Sequence, residues 1–223
     1  MAEMSAEFRQ GFILGMAMHP LVVSTDYNLA PVVWLKLDGN INNTGTDKAV
    51  TVTAQGDDAI TYYDDNGSLS YSATAKNSIK ITNCKNYLAG DFTIALKFRL
   101  SDNGLSPYPQ YRRIVWFSFG SKYTGAEVGY SGNTTSNTLC IAYNGTNLAL
   151  GTTKYNDDAW HTLVLRKFYD SLHLTVDGVT ITANSNVFYN PADYIILSEV
   201  DYTLNGQISD FKLYNAVVGD AYL

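Results

Sequence analysis

Carboxylates and aromatic rings are the side chains of this sequence that could do chemistry, and what they can do depends on where they stand. Cleaving a glycosidic bond needs two carboxyl groups flanking it, about 5–5.5 Å apart for retention or about 6.5–9.5 Å for inversion. Glutamate is scarce, with Glu3, Glu7, Glu127 and Glu199 the only four. Glu199-Val200-Asp201 comes nearest, because alternation along a strand would put its two carboxylates on one face. Tyr202 and Thr203 follow in place of a further acid, and a solvated turn accounts for the pair.

Gripping a sugar without cutting it asks for aromatic rings to stack on pyranose faces and for Asn, Asp and backbone groups to meet the hydroxyls. The segment from Lys122 to Asn147 offers Tyr123, Glu127, Tyr130, Asn133, Asn137, Tyr143 and Asn144. Ser106 to Arg113 adds Tyr108, Tyr111 and the Arg112-Arg113 pair on a predicted loop, before the apolar run that starts at Ile114. Some of these tyrosines fit an ordinary strand role. The expected ligand-binding set is Tyr108, Tyr111, Arg112, Tyr123, Glu127 and Tyr130, with the loop residues ahead of the strand residue Tyr143. His161, beside Trp160 at the start of a predicted strand, reads as structural and not catalytic.

The elements that must hold these groups are strands. Thr, Ser and Asn number 21, 16 and 19, beside 17 Tyr, which favours β-structure and the turns between strands. Ile94, Leu96, Phe98 and Leu100 alternate with Thr93, Ala95, Lys97 and Arg99, the pattern of a half-buried strand. Leu172, Leu174 and Val176 repeat it, and Asp177-Gly178 before Val179 is a strong hairpin signal. The run Ile114 to Phe119 is apolar on both faces, which predicts the middle of a sheet covered on both sides. Strands at short spacing, with no helical segments to cross between parallel ones, imply antiparallel sheets packed face to face.

Composition narrows the function classes. Charged residues are 16% of the chain, against about 25% in an average protein, with a net charge of -6. The 15 basic residues form no run longer than Arg112-Arg113, which leaves no electrostatic footprint for nucleic acid. Cys84 and Cys140 permit one disulfide at most, and Cys140, inside Leu139 to Ala142, reads as a buried free thiol. No CxxC or Cys/His cluster suggests zinc. The Asn-x-Ser/Thr sequons at Asn42, Asn66, Asn133 and Asn144 fit chance in a chain this rich in Asn and Thr.

The apolar stretch Gly11 to Met18 is shorter than the roughly 20 residues a membrane-spanning helix needs. Glu3 and Glu7 beside Arg9 argue against a signal peptide, whose leading region is positively charged. Ser5 can cap a short helix carrying Phe8, Phe12 and Met16 on one face, with Ile13 beside them, before His19-Pro20 ends it. Such a helix either packs on its own domain or anchors the chain to a neighbouring subunit. The expectation is an attachment segment over residues 1–25, helical or extended, and one sandwich domain over 26–223. Glu7 to Ala17 also resembles short N-terminal leaders on bacteriophage structural proteins.

The order of strand motifs resembles a family. Val33 to Asn40 looks like the opening strand of laminin-G-like domains of the concanavalin A-like lectin/glucanase group, and Asp91 to Phe98 is similar to the strand after their first long connection. Trp160 to Arg166 with Leu172 to Gly178 resembles the central hairpin pair, and Leu204 to Asn215 the closing strand. The resemblance implies an all-β, two-sheet antiparallel jelly-roll sandwich. Hydrolases of that fold carry Glu-x-Asp-x-Glu on one strand, a motif this chain lacks, so an enzyme is not expected. The resemblance also implies calcium as the one cofactor to consider, with Asp38 (beside Asn40) and Asp210 matching a structural site between first and last strands. Asp57-Asp58, Asp64-Asp65 and Asp157-Asp158 are alternatives that also read as turns. The reading that follows is a non-enzymatic adhesion or carbohydrate-binding protein on a bacteriophage virion surface. Its expected partners are host-surface glycan, further copies of itself and, through residues 1–25, other virion subunits. A secreted or cell-surface bacterial lectin module and a structural knob without ligand are the alternatives.

Overall fold

Alternating side chains and turn-forming dipeptides give strands almost throughout. The computed structural model describes residues 29–57, 59–65, 68–72, 77–100, 111–118, 125–131, 138–143, 146–184, 192–198 and 206–223. Its strands are β1 (Val33–Leu35), β2 (Thr51–Gly56), β3 (Thr61–Asp65), β4 (Ser68–Ser72), β5 (Asn77–Thr82), β6 (Phe92–Leu100), β7 (Tyr111–Ser118) and β8 (Gly125–Ser131). They continue as β9 (Thr138–Tyr143), β10 (Thr146–Lys154), β11 (Trp160–Phe168), β12 (Ser171–Val176), β13 (Val179–Asn184), β14 (Tyr194–Leu197) and β15 (Gly206–Tyr214). One short helix, α1 (Lys85–Leu88), and a final 3-10 turn, Asp220–Tyr222, are the described helical pieces.

The strands form the expected all-β jelly-roll sandwich of two antiparallel sheets. An eight-stranded sheet runs β13-β12-β11-β6-β15-β4-β3, with β1 also on β15, and a seven-stranded sheet runs β10-β9-β8-β7-β14-β5-β2. Asp177 and Gly178 make the predicted hairpin: Val176 pairs with Val179, and both turn residues take positive φ, 47° and 83°. Between the sheets lie fully buried Phe92, Phe98 and Phe211 from one side and Phe117, Ile79 and Ile81 from the other. The Phe92 and Phe117 rings meet across the interface at 5.9 Å between centroids. Strand β7 lies inside its sheet as predicted, with consecutive Ile114 and Val115 both fully buried.

Strand β6 departs from the expected half-exposed pattern, since Thr93 and Ala95 on its outer face are buried as well. After β15 the chain turns back over that face as a strap, residues 215–223. Thr93 Oγ1 donates to the Ala216 carbonyl at 2.8 Å and accepts the Val218 N–H at 2.9 Å. Val218 is fully buried, and Arg166 Nε donates to its carbonyl at 2.8 Å. A polar residue on an outer face is thus buried because its hydroxyl is satisfied twice by the covering backbone.

Tyr111 and Arg112, predicted on a loop, instead open β7, with Tyr111 opposite Ser131 and Arg112 opposite Tyr130. The ladder to β8 extends beyond the apolar run because a partner strand is present there. Both cysteines are buried thiols, and burial pushes the Cys84 thiol up to about 12. The attachment residues Phe8, Phe12, Ile13 and Met16 lie outside the described residues, as do Glu199, Val200 and Asp201. Among the described residues no helix is long and apolar enough to cross a membrane.

Gly206 opens β15 where a Cβ would stand 2.0 Å from the Arg99 carbonyl oxygen. Gly206→Ala should therefore cost about 1–3 kcal/mol, read as a lower urea midpoint at unchanged slope.

Candidate functional site

Register across the outer face of the eight-stranded sheet aligns Thr180, Thr175, Val164, Ala95, Lys212 and Trp34, one from each strand between β13 and β1. Residues directly opposite share a sheet face. The middle members are small or β-branched and the strap crosses beside them, so the face dips into a groove of about 370 Å³. Ala95 and Val164 line it with Lys97 and Thr162. Asp177 and Gly178 reach it from the β12–β13 turn, Asp210 and Lys212 from β15, and Asp220 and Leu223 from the strap.

Asp210 is placed by an irregularity. Strand β15 pairs with β4 through Gln207 and Ile208 and with β1 through Phe211, Lys212 and Leu213. Between these stretches its register to β6 shifts, from Ser209 to Lys212. Asp210 sits in that shift with φ of 53°, in the left-handed region that Asp tolerates better than most residues. Its N–H donates to the Lys36 carbonyl at 3.2 Å. Its carboxylate accepts Trp34 Nε1–H at 2.8 Å on one oxygen and the Lys212 ammonium at 3.0 Å on the other. Lys212 also donates to the Leu223 carbonyl at 2.7 Å, and Lys36 and Lys212 each stand 5.4 Å from the centre of the Trp34 ring.

Asp177 is tied just as closely. One oxygen accepts the Thr162 N–H at 2.9 Å and the other faces His161 Nδ1 at 2.6 Å. The opposite ring nitrogen of His161, Nε2, faces Asp157 at 2.9 Å. Ionised carboxylates only accept, so a ring that bonds both must carry both protons and a positive charge. The ring is 8% exposed and packs against Phe98 and the edge of Tyr155, with centroids at 5.4 and 5.0 Å. Burial depresses its pKa, but the hydrogen bonds and charges of Asp177 and Asp157 together outweigh it and hold the ring above its ordinary 6.5. The hydrogen bond from His161, then the Ala159 N–H, keeps Asp157 below its ordinary 3.8. Asp158 grips Arg99 through two bonds of 3.0 Å, so this acidic pair serves as a structural clamp.

Of the residues singled out in the sequence, Asp210 lines the groove. Asp38 instead takes the Asn40 side-chain amide at 3.4 Å, in a turn where Asn40 also accepts the Asn42 N–H at 2.9 Å. Calcium wants six to eight oxygens. As arranged, these residues do not fit that ion: both Asp210 oxygens are held by N–H donors, one of them cationic. Among the described residues no three His, Cys, Asp or Glu side chains gather as a metal site. Tyr111, Arg112, Glu127 and Tyr130 lie on β7 and β8, in the other sheet from the groove, where the backbone sets Glu127 opposite Trp116. Their side chains lie outside the described residues, and Tyr108 and Tyr123 lie outside them altogether. Trp34, Lys97, Thr162, Thr175 and Lys212 were not singled out. Their signal is a register across strands, which no local pattern carries.

No protein-family model matches the chain. No curated protein matches it in sequence. Solved structures do match in fold. Domain 4 of a GH43 extracellular arabinanase from Geobacillus stearothermophilus, solved with arabinotriose, aligns with a TM-score of 0.65 at 12% identity, over 86% of this chain and 96% of that one. Trypanosoma rangeli sialidase, solved with the inhibitor DANA, aligns at 0.64 and 9% identity, over 86% of this chain and 32% of that one. The binding domain of Paraclostridial Mosquitocidal Protein 1 gives 0.62 at 11% identity, over 86% and 50%. This chain therefore spans about half of the toxin domain and a third of the sialidase. These likenesses define the class by fold, as a β-sandwich domain.

The clamp makes stability depend on pH. Because the folded ring's pKa is raised, His161 contributes fully below about pH 6.5 and loses its contribution as pH climbs through the folded value. The lowered Asp157 contributes above its ordinary value and fails as pH falls through the folded one. Calorimetric midpoints should therefore decline from pH 6 to 8.5, and decline less in His161→Gln.

Proposed function

We propose that this chain is a non-enzymatic adhesion domain, laminin-G-like in kind, that binds carbohydrate in the groove of its eight-stranded sheet and is displayed on a bacteriophage particle. The observation that carries the reading is the groove itself: small side chains form its floor, hydroxyls of Thr162 and Thr175 and carboxylates of Asp177 and Asp210 line it, and half-buried Trp34 closes the same register row. Polyols are held by such convergent polar groups beside an aromatic surface. Binding without cleavage is supported by the state of the acids, since Asp177, Asp210 and Asp220 are each bonded to a cationic side chain as acceptors. A general acid must instead hold a proton to give. The shared fold of an arabinanase domain solved with arabinotriose supports the ligand class by analogy. The leader-like Glu7 to Ala17 supports the particle, where many copies would turn weak single sites into avidity.

The test is binding of the full chain to a multivalent panel of bacterial and host glycans, with calcium and then with chelator. Thr162 is exposed, so Thr162→Tyr should fold normally while filling the groove, and should weaken any specific binding by about tenfold, or about 1.4 kcal/mol. A folded wild type that binds no glycan would make the protein a structural knob. Removing residues 1–25 should leave the thermal midpoint within a few degrees and convert an assembled species to a monomer in sedimentation. A truncated chain that fails to fold would show that the segment packs on its own domain.

A further inference from the structure

Charge around the groove is paired unevenly. Asp177 is matched by His161, Asp210 by Lys212 and Asp220 by Arg166. Lys97 lines the groove, is exposed, and has no hydrogen-bond or ion-pair partner among the described residues. Lys36 stands over Trp34 at the neighbouring strand. The acids lining the groove are thus each already paired, and Lys97 is left as its one lining cation without a partner among the described residues.

The strap shows what such a place accepts. Its anchored part is residues 215–218, held by Thr93 and by buried Val218. Beyond Gly219, the last turn meets the groove through the Asp220 carboxylate on Arg166 and the Leu223 carbonyl on Lys212. Asp220 is 81% exposed while Arg166 is 16% exposed, so the carboxylate lies on the solvent side of a largely covered guanidinium. The chain thus places its own acid and a backbone oxygen against Arg166 and Lys212, through a turn that follows the anchored part of the strap.

We infer that the groove's ligand is an acidic saccharide whose carboxylate meets Lys97 and competes with the strap's last turn for Arg166 and Lys212. The inference rests on the carbohydrate reading above and names the class of sugar within it. A carboxylate on a free ammonium forms a charge-assisted hydrogen bond, stronger than any a neutral sugar can make there. Arg166 adds the planar fork that carboxylates fit, once Asp220 leaves it.

The experiment titrates the full chain with matched pairs of uronic- and sialic-acid oligosaccharides, each against its methyl ester. The acid should bind about tenfold tighter than its ester at low salt, with the advantage shrinking as salt rises. K97Q should bring the two together, and D220N should strengthen acid binding severalfold, both variants keeping the wild-type melting temperature because both side chains are exposed. Equal binding of acid and ester by the wild type, an undiminished preference in K97Q, or weaker acid binding in D220N would each overturn the inference. If neutral glycans bind and no acid does, the acidic class falls and the groove reading stands. If no saccharide of either kind binds, both fall.

Discussion

Strand β15 has two neighbours on one side and must serve both. It pairs with β4 near its start and with β1 near its end, and a single ladder cannot run straight through that change. The bulge at Asp210 is the solution, and the groove depends on it. It turns the carboxylate toward the Trp34 indole and leaves Lys212 in register with both Ala95 and Trp34. Bulges re-aim side chains in this way at the cost of one unpaired residue, and here the displaced backbone N–H finds the Lys36 carbonyl.

From that bulge the charge pattern of the face follows. Each acid at the groove is tied to a cation: Asp177 to His161 and Asp220 to Arg166, both on β11, and Asp210 to Lys212 on its own strand. The pairs are partly exposed, so none contributes much to stability by itself. Their effect is on geometry: they fix the acids as acceptors, orient Thr162 and Trp34, and leave Lys97 as the group free to meet something from outside. The His161 clamp differs in that its ring is nearly buried, so its protonation is coupled to folding.

Local chemistry was legible and register was not. Asp177-Gly178 could be read because two adjacent residues with positive φ specify the hairpin by themselves. The alternation in β6 gave the core face correctly, Ile94, Leu96 and Phe98, yet misjudged the outer one, because Thr93 is covered by a strap more than a hundred residues later in the chain and Ala95 lies between Val164 and Lys212 of the neighbouring strands. Tyr111 and Arg112 precede the apolar run that starts at Ile114 and so read as loop, while strand pairing is decided by β8. Asp210 was singled out for a metal by resemblance; the structure gives its carboxylate to an indole and an ammonium instead. The groove's other residues are ordinary Thr, Val, Ala and Lys, which become a site when five or six strands align, and no spacing in the sequence records that alignment.

Trp34 belongs to β1, the first described strand, and β1 joins the sheet by three paired positions on β15 with the Val32 N–H to Leu213 carbonyl bond of 2.8 Å beside them. The indole that ends the groove's register row therefore stands in the first described strand after residues 1–28. Tension on its leading residues would enter the domain through β1 and its pairing to β15. It would arrive at Trp34 and Lys212, at one end of the register row, before it reached the core.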